Sequence, residues 1–136
     1  MENELNSWAL DFEDTLFSLL KSYMEGKVKG IKVTQDEESG GTATFPTLLV
    51  RQIGAPEAGR TNEAKTINAL RPTFQITITN KGTRKATKDI AAYAVSFFKQ
   101  QMFEVSNVIP TISKQVRTVT FRATRVIGNI EHLDQL

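Results

Sequence analysis

Large apolar residues recur at steps of three or four near the start of the chain: Leu5, Trp8, Phe12, Leu16, Leu19 and Tyr23. This spacing places them on one face of an α-helix and predicts a helix over about residues 5–24. Gly26 and Gly30 follow the last of these residues and favour the end of the helix there.

Three segments between residues 31 and 79 have the composition of β-strands: Ile31–Thr34, Thr44–Ile53 and Thr73–Thr79. The third alternates strictly between apolar and polar residues, which predicts one buried face and one polar face. The second is apolar at consecutive central positions, which favours an interior strand, while Pro46 favours an edge or a bulge near its beginning.

The residue pattern of the remaining chain predicts a second helix and one more strand. Asn80–Gly82 is typical of a turn, and the apolar spacing that follows predicts a helix over about Thr83–Phe103. Val108–Ser113 contains Pro110 and is interpreted as a connector. Gln115–Ile127 alternates again and predicts the last strand, whereas the tail after it has no clear period.

The predicted element order is α-β-β-β-α-β. It predicts an α+β fold, a single and mainly antiparallel sheet of about four strands with two helices packed on one face. The length of 136 residues indicates a single domain over residues 1–136. Two segments are expected to lie outside this framework: an acidic, glycine-containing turn at Gln35–Thr42 and a long loop or arm at residues 54–72.

The polar face of the predicted sheet is rich in threonine and almost uncharged. On the two alternating strands it consists of Thr77, Thr79, Thr118, Thr120, Arg122 and Thr124. An ordinary solvent face would carry more Lys and Glu. Two interpretations stay open, a plain solvent surface or a surface directed toward a neighbouring subunit or a lumen.

The net charge of +2, from 17 Lys and Arg against 15 Asp and Glu, hides an asymmetry along the chain. Residues 1–40 hold nine acidic and four basic residues, a net −5, whereas residues 41–136 hold six acidic and thirteen basic residues, a net +7. This distribution fits attraction of a nucleic acid to the basic part. It equally fits contact between the acidic part of one copy and the basic part of the next.

Basic residues form two candidate sites. The first surrounds the start of the second predicted helix and contains Lys81, Arg84, Lys85 and Lys88. Cations there oppose the helix dipole, so this group is either a solvated face or a patch for an acidic partner or for phosphate. The second group lies in the long loop, which is either flexible or a docking arm, and contains Arg60, Lys65 and Arg71.

The sequence lacks the residue types and motifs that usually indicate a catalytic site. It has no Cys, and its single His, His132, has no second imidazole or thiolate with which to share a metal ion. Neither a G-x-S-x-G turn nor a phosphate-binding glycine loop occurs. We therefore expect no catalytic residues, no metal site and no cofactor, and a protein that is not an enzyme. The acidic start and the short apolar runs predict neither a signal peptide nor a membrane span.

The stretch Phe74–Val95 is a strand, a short polar turn and a helix that carries Lys85, Ala86 and Ile90. This unit resembles tail-terminator or tail-completion proteins of long-tailed bacteriophages. The leading helix, the Phe45–Val50 strand, the long loop and the late strand fit the same layout. The resemblance extends over most of the chain as a layout and includes no catalytic motif.

The resemblance implies a small domain that assembles as a homo-hexameric ring on the end of the tail tube, stops its growth and presents the head-attachment surface. The tail tube protein and a head-completion or connector protein would be its partners. DNA would pass through the ring without sequence-specific binding, and no membrane would be involved. The protein would be made in the host cytoplasm and reside at the head-proximal end of the virion tail. The basic residues of the long loop would then contact a subunit or the tube.

Two alternative functions stay open. The basic group at the second helix and a sequence pI of about 9.0 fit a small nucleic-acid-binding module. A head-closure connector or a tail-tube subunit would use a sheet-based ring of the same kind.

Overall fold

The structure is a computed structural model that describes residues 2–35, 45–54, 69–113 and 115–128. In chain order its elements are α1 (Glu2–Lys27), β1 (Lys32–Thr34), β2 (Thr47–Gly54), β3 (Ala69–Leu70), β4 (Thr73–Asn80), α2 (Arg84–Gln100), β5 (Glu104–Ser113), β6 (Val116–Thr124) and β7 (Ile127–Gly128). The α+β class, both predicted helices and the four predicted strands are confirmed. The predicted acidic turn lies, beyond Gln35, outside the described residues.

The main sheet has five strands in the order β1-β2-β4-β6-β5, and β3 pairs with β7 in a separate two-stranded sheet. β1 runs parallel to β2, and the other three pairings of the main sheet are antiparallel. The prediction of a single sheet of about four strands is therefore wrong in its detail. The main sheet is mixed, has five strands and is accompanied by a second, small sheet.

The missed strand of the main sheet is β5, which contains the segment interpreted as a connector, Val108–Ser113. Pro110 favoured that interpretation because proline has no N–H to donate to a strand ladder. It is tolerated here because β5 lies at the edge of the sheet. A register shift between Ser106 and Ile109 also interrupts the alternation on which strand prediction depends.

The last part of the predicted loop at residues 54–72 is also a strand. Ala69 pairs with Gly128 and Leu70 with Ile127. The small sheet therefore joins the end of the loop to the last residue of the predicted final strand and the first residue of the predicted tail. Two-residue strands are too short to show a period in the sequence. The rest of the predicted loop, residues 55–68, lies outside the described residues.

The two helices pack on one face of the main sheet, as predicted. α1 contacts β1 and α2, while α2 contacts β4, β5 and β6, so each helix covers a different part of the sheet. Over residues 11–27 of α1, where the structure describes the side chains, the buried ones recur every four residues and are Phe12, Leu16, Leu20 and Met24. They belong to the same core cluster as the inward-facing side chains of the two central strands, which are Phe74, Ile76 and Ile78 of β4 and Val119, Phe121 and Ala123 of β6.

Aromatic rings join α2 to the sheet at the centre of the core. The ring of Phe98 lies 6.5 Å from Phe74 of β4, 6.0 Å from Phe121 of β6 and 5.3 Å from Phe103, measured between centroids. All four side chains are buried. Because aromatic rings bury large areas and pack in preferred tilted geometries, this cluster fixes α2 over the β4–β6 pair.

We expect Phe98→Ala to lower the free energy of unfolding by about 3–5 kcal/mol, because it removes a fully buried ring from this cluster. Urea unfolding followed by circular dichroism measures the change. Tyr93→Ala is the matched control on the same helix, since Tyr93 is exposed, and it should change stability by less than about 0.5 kcal/mol. Equal losses in the two variants would contradict this assignment of the core.

Candidate interaction surfaces

The face of the main sheet opposite the helices is the threonine-rich face predicted from the sequence. Strand register aligns its residues in rows across the sheet. One row is Lys32, Thr47, Thr79, Thr118 and Thr111, and the next is Thr34, Leu49, Thr77, Thr120 and Ile109. Neither α1 nor α2 covers this face. Cross-strand pairs of β-branched residues stabilise the pairing of neighbouring strands. This face of the sheet therefore does not need a second copy of the chain to hold its strands together.

A third row of the same face carries its arginines. Arg51 pairs with Gln75, which pairs with Arg122, and both arginines are exposed. At the end of the sheet, the hydroxyl groups of Thr73 and Thr124 lie 3.1 Å apart and form a hydrogen bond. The structure thus brings together all six predicted residues of this face and adds β2 residues to them.

The four cations predicted around the start of α2 do lie together. Lys81, Arg84, Lys85 and Lys88 are all exposed, and they are called the basic cluster below. Lys85 Nζ lies 3.5 Å from Asp89 Oδ2, one helical turn further on. Because both side chains are largely exposed to solvent, this pair adds little to stability.

A fifth cation, Arg117 of β6, joins the basic cluster from another element. Register places Arg117 opposite Asn80, at the end of β4 that leads into α2. Its Nε donates a hydrogen bond of 3.4 Å to the carbonyl oxygen of Gly82. Sequence analysis missed this membership, because only the pairing of β4 with β6 brings Arg117 to the turn.

Buried hydrogen bonds hold the basic cluster in place. Asn80 Nδ2 donates to Thr87 Oγ1 at 3.2 Å, and Thr87 Oγ1 donates to the carbonyl oxygen of Thr83 at 3.0 Å. Both Asn80 and Thr87 are buried. The side chain of Thr83 also caps α2 by accepting a hydrogen bond from the N–H of Ala86. These bonds tie the end of β4 to the first turn of α2, so the cations are carried by a rigid base.

A groove of about 650 Å³ runs between α2 and β5. One wall is formed by Ala91, Ala92 and Val95 of α2, and the other by Val108, Pro110 and Ile112 of β5. Three cations also line the groove near the beginning of α2, namely Arg84, Lys88 and Arg117. The groove is therefore apolar along its length and cationic at one end.

The β5 edge beside the groove exposes an unusual amount of apolar surface. Val108 is 53% exposed, Ile109 is 55% exposed and Ile112 is 59% exposed. Exposed apolar residues on a long edge strand are typical of a contact surface. Pro110 lies in the middle of this edge and cannot donate a backbone hydrogen bond to an added strand. The sequence signal for this surface was the β-branched composition of the segment, which the proline obscured.

Of the three basic residues predicted in the long loop, only Arg71 belongs to the part of the chain that the structure describes. It is exposed and lies between β3 and β4. Arg60 and Lys65 lie outside the described residues, so their role as a subunit or tube contact stays a prediction.

Among the residues that the structure describes, no group of three or more His, Cys, Asp or Glu side chains could hold a metal ion. Within the same residues, no helix has both the length and the apolar character that crossing a membrane requires.

Comparison with known proteins gives the fold and nothing more specific. No protein-family model and no curated protein matches this sequence. One similar solved structure has a TM-score of 0.61 and 16% sequence identity, covering 83% of this chain and 90% of its own. Likeness at this identity establishes a shared fold alone.

We expect Asn80→Ala to lower the free energy of unfolding by about 1–3 kcal/mol, because it removes a buried hydrogen bond to Thr87. Urea unfolding again measures the change. Thr111→Ala is the control: its hydroxyl donates an exposed bond of 3.5 Å to the Thr118 carbonyl, and its loss should cost less than about 0.5 kcal/mol. If Asn80→Ala is as stable as the control, the proposed anchoring of the basic cluster is wrong.

Proposed function

We propose that this chain is a structural protein that assembles with copies of itself. We further propose that the assembled ring acts as the tail terminator of a phage. In this function a hexameric ring sits on the end of the tail tube, stops tube growth and offers the surface for head attachment. The observation that carries the proposal is the edge strand β5, with its exposed Val108, Ile109 and Ile112.

The two edges of the main sheet differ in a way that favours head-to-tail assembly. β1, at one edge, has three residues, whereas β5, at the other, has ten and exposes apolar side chains. A contact between unlike surfaces is heterologous, and repeated copies of it close into a ring when the rotation between neighbours allows. An exposed apolar edge is costly in a protein that stays monomeric, because it invites aggregation.

The threonine-rich face fits the same function. If neighbouring copies meet edge to edge, their open sheet faces join into one surface around the ring. Tight binding of DNA requires many Lys and Arg contacts with phosphate. The three rows of this face carry the cations Lys32, Arg51 and Arg122 and are otherwise uncharged. Such a surface suits a lumen through which DNA passes without being held.

The basic cluster favours one alternative, a nucleic-acid-binding module. With Arg117 it presents five cations beside a helix N-terminus, a combination that attracts phosphate. A head-closure connector or a tail-tube subunit is the other alternative, and it shares the self-assembly argument. The number of copies per particle distinguishes a tail terminator from a tail-tube subunit, since a terminator ring needs six copies and a tube needs many more.

We expect the parent protein to form six-membered rings at raised concentration or on tube ends, and to limit tube length. The variant Ile109→Asp/Ile112→Asp should stay monomeric and fail to cap tubes, because charges replace the apolar surface of β5. Native mass spectrometry, negative-stain imaging and tube-length measurement report these outcomes. Val126→Asp, at an exposed apolar residue outside β5, is the control and should assemble like the parent. A parent protein that is monomeric both alone and with tubes would remove the proposal.

We expect the parent protein to bind a short DNA duplex no more tightly than the roughly micromolar range of non-specific binding at physiological salt. Fluorescence anisotropy over a series of salt concentrations measures the affinity. Arg84→Glu/Lys85→Glu should weaken this binding further, because it replaces two cations of the basic cluster with carboxylates. Tight, salt-dependent binding that disappears in this variant would favour the nucleic-acid module instead.

A further inference from the structure

We infer that the groove between α2 and β5 receives the acidic first half of α1 from a second copy of this chain. The inference rests on self-assembly, as proposed above, and adds which two surfaces make the contact. It does not depend on the phage tail as the place of assembly.

Charge is the first argument for this occupant. Residues 2–14 of α1 contain five carboxylates and no Lys or Arg. Asp11 and Asp14 are exposed on the side of α1 opposite its buried stripe. The basic cluster and Arg117 supply five cations at and beside the groove. Within the described part of the chain, one carboxylate pairs with these cations: Asp89, which lies 3.5 Å from Lys85. In the inferred contact, the exposed carboxylates of Asp11 and Asp14 meet a positively charged site.

The position of the two surfaces is the second argument. α1 packs beside β1 at one edge of the sheet, and the groove opens beside β5 at the other edge. α2 stands between them, with α1 on one flank and the groove on the other. The acidic surface therefore lies away from the groove of its own copy and is free to reach that of a neighbour. The resulting contact repeats in one direction, as a heterologous interface does.

The form of the groove is the third argument. Pro110 interrupts the hydrogen-bonding edge of β5, which disfavours extension of the sheet by an added strand. A helix that lies along the groove would instead cover Val108 and Ile112. Its carboxylates would then meet Arg84 and Lys88 at the cationic end.

The test is a charge exchange between two full-length variants. Asp11→Lys/Asp14→Lys makes the acidic surface basic, and Arg84→Glu/Lys88→Glu makes the cationic end acidic. We expect each variant alone to associate at least about tenfold more weakly than the parent, because like charges then meet at the contact. An equimolar mixture should assemble again, since each altered surface finds its complement on the other variant. Sedimentation velocity measures association, and circular dichroism confirms that both variants are folded.

A matched control reverses charges elsewhere on the same two helices. Glu25→Lys in α1 and Lys99→Glu in α2 are exposed and lie outside the groove, so this double variant should assemble like the parent. Assembly of the mixture should weaken as salt is raised, because the restored contact depends on charge pairs.

Three outcomes would overturn the inference. Unchanged assembly of both exchange variants would show that these charges do not meet, while self-assembly of the parent would leave the proposed function standing. Loss of assembly that mixing does not restore would show that the two altered surfaces do not meet each other, and would remove the first half of α1 as the occupant of the groove. A parent that is monomeric alone and on tubes would end both proposals together.

Discussion

The packing of Phe98 against Phe74 and Phe121 is the interaction on which the rest of the molecule depends. It places α2 over the β4–β6 pair, so α2 lies toward one end of the five-stranded sheet. That position leaves the β1–β2 end of the sheet to α1. It also directs the outer flank of α2 toward β5, where helix and edge strand enclose the groove between them. The surfaces available for contact thus follow from one aromatic cluster in the core.

A buried polar link sets the second constraint. The hydrogen bonds from Asn80 through Thr87 to Thr83 fix where α2 begins relative to the end of β4. Polar side chains at such depth need partners, and here they find them in each other. At its other end, α2 is fixed by Arg125, whose Nη1 donates a hydrogen bond of 2.6 Å to the carbonyl oxygen of Gln101. A cation there interacts favourably with the helix dipole. Both ends of α2 are therefore held, which gives the cations near its start a defined position.

The sequence was most informative where a strand has one fully buried face. β4 and β6 alternate because their inner residues meet the helices and their outer ones do not, and both strands were predicted. β5 was missed because it lies at the edge, where Val108, Ile109 and Ile112 stay exposed on either face and leave no period. Arg117 was missed from the basic cluster for another reason. Its membership depends on the register of β4 with β6, a long-range pairing that no local pattern reveals.

The character of β5 also bears on whether a self-assembling sheet closes. Strands that simply add to an edge impose the twist of a continuous sheet, and nothing in that pairing limits the number of copies. Pro110 disfavours this mode at the middle of the edge. A contact made by side chains in the groove is different, because the packing of a helix flank against two fixed walls permits one rotation between neighbours. A ring requires the same rotation at every contact and a rotation that closes, since one that does not close gives an open filament. The proline that hid β5 from sequence analysis thus also disfavours open-ended addition of strands at this edge of the sheet.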